Sequence, residues 1–270
     1  MTEQHLTERF DFGINLIREA SALAASYFNN IGALTIESKG PQDMVSEADL
    51  NVEILIRDRL KARFPEDAFF GEETGASAIE GAVANSAGIW VVDPIDGTQP
   101  FVSGLPDWCI SIAFVVGQSL LIGLVFAPIL NELFASQRGC GATLNGQSIY
   151  CRKGNTIKDG VVSVGYSMRV PPEATLTILR NLLEGGGKYH RNGSAALSLC
   201  YVACGRLLGY IEPHVNSWDC LGALAVISEA GGQINNFLAG DGLLQGNRIV
   251  AAPPAVYAEI EGLFKARNAP

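Results

Sequence analysis

From Trp108 to Asn131 the chain carries no charged residue. A run of that length could span a bilayer. Gly117-Gln118-Ser119 interrupts it, however, and the flanking halves, CISIAFVV and LLIGLVF, are β-prone, with Pro128 downstream. This pattern predicts a buried β-hairpin rather than a membrane span. Residues 9–28, RFDFGINLIREASALAASYF, read as a first helix, and a Gly-Pro loop, SKGPQD, separates it from a second, SEADLNVEILIRDRLKARF. In the second helix Val52, Leu55, Ile56 and Leu60 fall on one apolar stripe. GIWVV is a short apolar strand, and Asn145-Gly146 marks a further hairpin turn after ELFAS.

The polar stretch CRKGNTIKDG reads as a boundary, dividing a lobe of residues 1–155 from one of residues 156–270. Beyond it VVSVGY, LLGYIEP, QINNF and RIVAAP read as strands, and TLTILRNLLEGG, SAALSLCYVACGR and AVYAEIEGLFKAR as helices. A further helix, SWDCLGALAVISEAGG, has Ser217 as its expected N-cap and Gly231-Gly232 as its stop. The whole reads as a mixed α/β protein.

With 270 residues, 48% of them hydrophobic, the chain can bury a core as one large domain or as two packed lobes. Its net charge of −9 disfavours nucleic-acid binding through a basic patch. An anionic substrate would need a local source of positive charge. The six cysteines form no C-x-x-C pair and the three histidines do not cluster with them, which gives a zinc site little support. The polar N-terminal segment lacks a signal-peptide pattern. Reduced thiols and a cytoplasmic location are expected.

The stretch VVDPIDGT places Asp93 and Asp96 three residues apart at the expected end of a strand, where Gly97-Thr98 opens a helix. Two hard oxygen ligands there suit Mg²⁺, and the N–H groups of a helix start suit a phosphate. The plain structural alternative has Asp93 capping a turn and Asp96 capping the helix. Glu72-Glu73 in FFGEETG is a weak signal alone. SEAD, Ser46 to Asp49, reads as a capping box, and Asp219 in SWD as an acid in a first helical turn.

DMVSEAD, GEE, WVVDPIDGT, GSAA and YIEPHVNSWD together resemble the inositol monophosphatase family in order and spacing, over about Lys39 to Gly232. The resemblance implies a layered αβαβα sandwich, commonly a homodimer. It implies Mg²⁺, two to three ions, held by Glu72, Asp93, the Ile95 carbonyl, Asp96 and Asp219. Asp49 and Thr98 resemble the pair that orients and deprotonates an attacking water, with Glu72 helping to hold a weaker third ion. The backbone of Gly97 and Thr98 would hold phosphate oxygens. Gly193, Ser194 and Ala195, with Glu212, match the segment lining the alcohol. Gln99-Pro100 and Asn216 depart from common family residues, and these departures bear on the choice of alcohol.

The implied activity is hydrolysis of a small phosphate monoester by metal-activated water, inhibited by lithium. An inositol monophosphate is the leading substrate and histidinol phosphate the alternative. An aspartyl-phosphate mechanism wants Asp-x-Asp, and here the aspartates are three apart. A reading of another class is a regulatory, protein-binding member of the family. The expected partners are thus a phosphorylated alcohol and a second copy of the chain, with no nucleic acid and no membrane.

Overall fold

The computed structural model describes residues 1–33, 36–40, 43–75 and 86–265. Among these residues five layers enclose three apolar cores, the middle one spanning both faces of the central helix layer. The outermost layer is a helix pair, α1 (Glu3–Phe28) and α2 (Glu47–Arg63). Leu16, Ile17, Ala20 and Ala24 of α1 and Val52, Ile56 and Leu60 of α2 are buried on one face of a seven-stranded sheet. The stripe read from sequence is therefore the packing face of α2, with Leu55 at its edge.

That sheet has the order β3-β4-β5-β6-β7-β8-β9, with β3 (Ala68–Gly71) parallel to β4 (Ile89–Asp96) and the remaining pairs antiparallel. The uncharged run forms β5 (Cys109–Val116) and β6 (Ser119–Ala127), an antiparallel hairpin turning at Gly117-Gln118. The hairpin sits mid-sheet with both faces covered, which explains its continuous hydrophobicity. Among the described residues no helix is long and apolar enough to cross a membrane. β7 (Glu132–Gln137) follows, and β8 (Ala142–Leu144) returns to β9 (Gln147–Ser148) through Asn145 and Gly146. Both turn residues have positive φ, 50° and 80°, as the expected hairpin turn requires.

The second sheet has the order β11-β10-β12-β14-β13. Its strands are β10 (Val161–Val164), β11 (Lys188–His190), β12 (Gly209–Val215), β13 (Gln233–Ile234) and β14 (Asn247–Ala252). Between the sheets lie α5 (Ala195–Ala203) and α6 (Leu221–Glu229), apolar on nearly every side because sheets cover both faces. Outside the second sheet α4 (Pro172–Glu184) and α8 (Pro254–Glu261) close the last core on Val162, Val164, Ile211 and Val250. The result is the expected αβαβα order.

Several elements differ from the sequence reading. α1 begins at Glu3, capped by the Thr2 side chain, ahead of Arg9. Part of the expected Gly-Pro loop is strand: β1 (Ile36–Gly40) pairs antiparallel with β2 (Asp43–Ser46), and residues 41–42 lie outside those described. Strands β3 and β11 were not anticipated. QINNF is strand only at Gln233–Ile234, and the last helix ends at Glu261, continuing as a 3-10 turn over Gly262–Phe264. Ser217 does not cap α6; its hydroxyl donates to the Leu243 carbonyl (2.7 Å), while the Cys220 and Leu221 N–H groups bond to its own carbonyl. That turn delays the helix to Leu221 and leaves Asp219 ahead of it rather than in its first turn.

Candidate active site

β4 pairs with β5 through Asp93, opposite Ser111, and resumes with Asp96 opposite Cys109. Three steps on β4 therefore match two on β5, a β-bulge at Pro94-Ile95. In a regular strand residues three apart point to opposite faces. The extra residue turns Asp96 to the same side as Asp93, and both line one cavity of about 220 Å³. The motif is thus a bulge in the last residues of the strand, which runs on to Asp96. Pro94 suits this place, since a bulge spares it a ladder bond. The Ile95 N–H donates to Asp93 Oδ1 (2.9 Å), so Asp93 does anchor a local turn of backbone.

Asp96 caps a helix, but not the adjacent one. Its Oδ2 accepts from the Ser194 hydroxyl, the Ala196 N–H (2.7 Å) and the Cys109 thiol (3.7 Å), and its Oδ1 from the Ala195 N–H (3.2 Å). Those amides open α5, so Asp96 meets the positive end of a helix in the next layer. The adjacent helix, α3 (Thr98–Val102), starts at Gly97 with φ of 97°. A Cβ there would stand 2.9 Å from the Asp107 carbonyl oxygen, so the position demands glycine on both counts.

Asp49 has two roles at once. Its Oδ2 accepts from the Ser46 N–H (2.9 Å) and hydroxyl (2.7 Å), completing the capping box of α2. Its Oδ1 lies 3.4 Å from the Thr98 hydroxyl, which is also 3.2 Å from the Ile95 carbonyl. Glu72 follows β3 and is held by its N–H on the Val92 carbonyl (3.2 Å). Asp219 Oδ2 accepts from the Asn216 N–H (2.9 Å).

Glu72, Asp93, Ile95, Asp96, Gly97, Thr98, Gly193, Ser194, Ala195, Glu212 and Asp219 all line the same cavity. Asp49 stands behind Thr98. The structure thus gathers every site residue singled out from sequence. It adds Tyr210, whose hydroxyl donates to Glu212, and Arg191 and Asn192, which also line the cavity. Tyr210 shares a strand face with Glu212 two residues on, a spacing the sequence displayed. The Asn192 Oδ1 accepts from the Ser194 N–H (3.0 Å) and the Ser198 hydroxyl (2.7 Å), leaving its Nδ2 without a partner.

Burial dominates the electrostatics. It pushes Asp93 well above the usual carboxylate range, and the charges of Glu72, Asp96, Asp219 and Asp49 push it further. Burial likewise raises Asp96 to about 6 against the bonds from Ser194 and α5, and Asp49 to about 6 against those from Ser46. Asp219 rises to about 7 through burial and the charge of Asp96. Glu212 rises to about 8 through burial, opposed by the Tyr210 hydroxyl. All-oxygen donors under mutual repulsion are the chemistry that a hard divalent cation would relieve. Among the described residues no three His, Cys, Asp or Glu side chains yet stand at the spacing to hold one ion.

The class these features define is a layered αβαβα sandwich with an acid cluster at a strand bulge, beside the start of a short helix. The chain belongs to the inositol monophosphatase family, whose model matches residues 5–268. Nus factor SuhB of Haemophilus influenzae is 35% identical over 252 residues, covering 93% of each chain. Nus factor SuhB of Escherichia coli K12 is 32% identical over 251 residues, 91% of each. Among solved structures, the extragenic suppressor protein suhB of Bartonella henselae superposes with a TM-score of 0.86 at 28% identity, covering 96% of this chain and 98% of that one. An IMPase of Thermotoga maritima gives 0.81 at 28% identity, covering 95% and 96%.

Proposed function

We propose that the chain is a Mg²⁺-dependent phosphatase of a small phosphate monoester, most simply an inositol monophosphate. The observation that carries this reading is the convergence of Glu72, Asp93, Asp96 and Asp219 on one cavity, beside the Asp49–Thr98 contact. Glu72, Asp93, the Ile95 carbonyl, Asp96 and Asp219 would hold two to three ions. Bound there, Mg²⁺ would lower the pKa of a water and would offset charge on the phosphoryl group and the leaving oxygen. Thr98 positions the attacking water while its hydroxyl donates to Asp49, and Asp49 takes up the proton. The N–H groups of Gly97 and Thr98 hold phosphate oxygens at the start of α3.

Gly193, Ser194 and Ala195, with Glu212, line the alcohol. Glu212 and Tyr210 offer it a buried hydrogen-bonding pair, which suits a polyol. In the same reading the protein is cytoplasmic, lithium-sensitive and homodimeric, with lobes of residues 1–155 and 156–270. A regulatory reading is favoured by one finding, the name Nus factor given to the SuhB relatives.

The test is phosphate release with Mg²⁺ and with chelator, across inositol 1-phosphate, histidinol phosphate, glycerol 2-phosphate and adenosine 3′,5′-bisphosphate. Metal-dependent release strongest with inositol 1-phosphate is expected. No release from any of them by folded protein would shift the weight to the regulatory reading.

A further inference from the structure

Glu53 is a buried acid with no place in the chemistry above. It lies on α2 one turn after Asp49, is 3% exposed, and faces the sheet rather than solvent. Its two oxygens divide three donors. Oε2 accepts from the Glu73 N–H (2.8 Å), while Oε1 accepts from the Thr74 N–H (2.9 Å) and from the Thr74 hydroxyl. All three donors belong to the turn that leaves β3. The turn also presses on Glu53 from its other end, for a Cβ at Gly71 would overlap the carboxylate. Gly71 and Glu73 flank Glu72, so the residue that enters the cavity sits between one neighbour packed close against the Glu53 carboxylate and one bonded to it.

We infer that Glu53 is a positioning residue for Glu72: its carboxylate clamps the 71–74 turn, setting where the Glu72 side chain stands among the cavity acids. The inference rests on the proposed phosphatase reading, in which Glu72 is a cation ligand. A solvent-exposed turn would be secured by water or a neutral cap. Burying a carboxylate for the purpose is costly unless several donors meet it, and here backbone N–H groups supply them. Since α2 also carries Asp49, one helix then sets both the acid beside Thr98 and the acid on the β3 turn.

Groups that orient a ligand from behind typically change metal affinity by about 10- to 100-fold when altered. The experiment is Mn²⁺ binding without substrate, followed by electron paramagnetic resonance, on the full chain and its Glu53→Gln, Thr74→Val and Asp93→Asn variants. Circular dichroism at the same temperature checks that each is folded. Glu53→Gln places an amide NH₂ against an N–H donor and should weaken Mn²⁺ about 10-fold or more. Thr74→Val, which keeps shape and both N–H bonds, should weaken it about 2- to 5-fold and serves where Glu53→Gln does not fold. At saturating Mn²⁺ the Glu53→Gln spectrum should differ from the parent's because Glu72 is displaced, whereas general loosening of the fold would weaken binding and leave the saturated spectrum as in the parent. Mn²⁺ affinity unchanged in Glu53→Gln and Thr74→Val but lost in Asp93→Asn overturns the inference alone. Equal, negligible binding by the parent and Asp93→Asn overturns it together with the phosphatase reading.

Discussion

Replacing Glu212 by glutamine should make the cation-free protein more stable, by an amount that grows with pH. Glu212 is 5% exposed on β12, and its hydrogen bond comes from the Tyr210 hydroxyl. Burial raises its carboxyl from the ordinary 4.5 to about 8. The acid therefore holds its proton more tightly in the fold than in the unfolded chain. Its contribution to stability is fully present below about pH 4.5 and is lost as pH rises through about 8. At pH 7 the unfolded chain has the advantage of ionising over about 2.5 pH units, and at 1.36 kcal/mol each this is about 3 kcal/mol. Glutamine keeps the shape and an oxygen for Tyr210, and its nitrogen faces the cavity that Glu212 lines.

For a chain of this size that energy corresponds to a Tm shift of roughly 6–12 °C at pH 7. The assay is calorimetric melting of parent and Glu212→Gln in chelator at pH 5, 6, 7 and 8. The difference should be below about 1 kcal/mol at pH 5 and widen at each step. A difference that stays constant from pH 5 to pH 8 would refute the argument, because it would mean that Glu212 titrates alike in both states. The more stable variant should also bind an alcohol substrate less well, since a site held against its own stability is typical of functional cavities.

Asp93→Asn should abolish Mg²⁺-dependent phosphate release while leaving the far-ultraviolet circular dichroism intact, because Asp93 lies among the other acids and makes its bond to Ile95 through an oxygen that asparagine retains. Gly97→Ala meets the Asp107 carbonyl at 2.9 Å and a φ of 97°, so urea unfolding should show a loss of about 2 kcal/mol, with turnover reduced at least tenfold by displacement of the α3 start. Arg9→Met strands Asp67, whose side chain is 1% exposed and bound to Arg9 by two 2.8 Å bonds and to the Trp90 indole at 3.0 Å. Breaking such a buried pair should cost about 3–5 kcal/mol in denaturant titration, and a loss below about 1 kcal/mol would contradict the buried-pair assignment.

The hairpin β5–β6 was legible because two apolar runs met at a Gly-Gln-Ser turn. The same logic could not find β3: AFFG is too short to show alternation and leads straight into two glutamates. The acids Asp93 and Asp96 were legible as a pair, but the bulge between them was not, since register is set by Cys109 and Ser111 on the partner strand. Nor could sequence show that Asp96 caps α5, nearly a hundred residues away, in place of α3. Glu53 was hidden for a local reason. With Val52, Ile56 and Leu60 defining the apolar stripe, a glutamate next to it reads as the solvated border, and only the returning β3 turn buries it.

Among the described residues the hydrogen bonds that hold Asp49, Asp93, Asp96 and Asp219 come from backbone N–H, hydroxyl and thiol groups. Ile95 fixes Asp93, Ser46 fixes Asp49, the start of α5 fixes Asp96, and Asn216 fixes Asp219. These bonds favour the charged forms, yet burial outweighs them, and Asp49, Asp96 and Asp219 still lie above their ordinary range. Had lysine or arginine done the orienting, the negative charge would have been cancelled within the protein and a divalent cation would gain little by binding. Fixing geometry with N–H and O–H groups leaves that charge available. Under the proposed reading, four acids fixed in direction by uncharged donors are what a site recruiting cations for an anionic substrate would require in a chain of net charge −9.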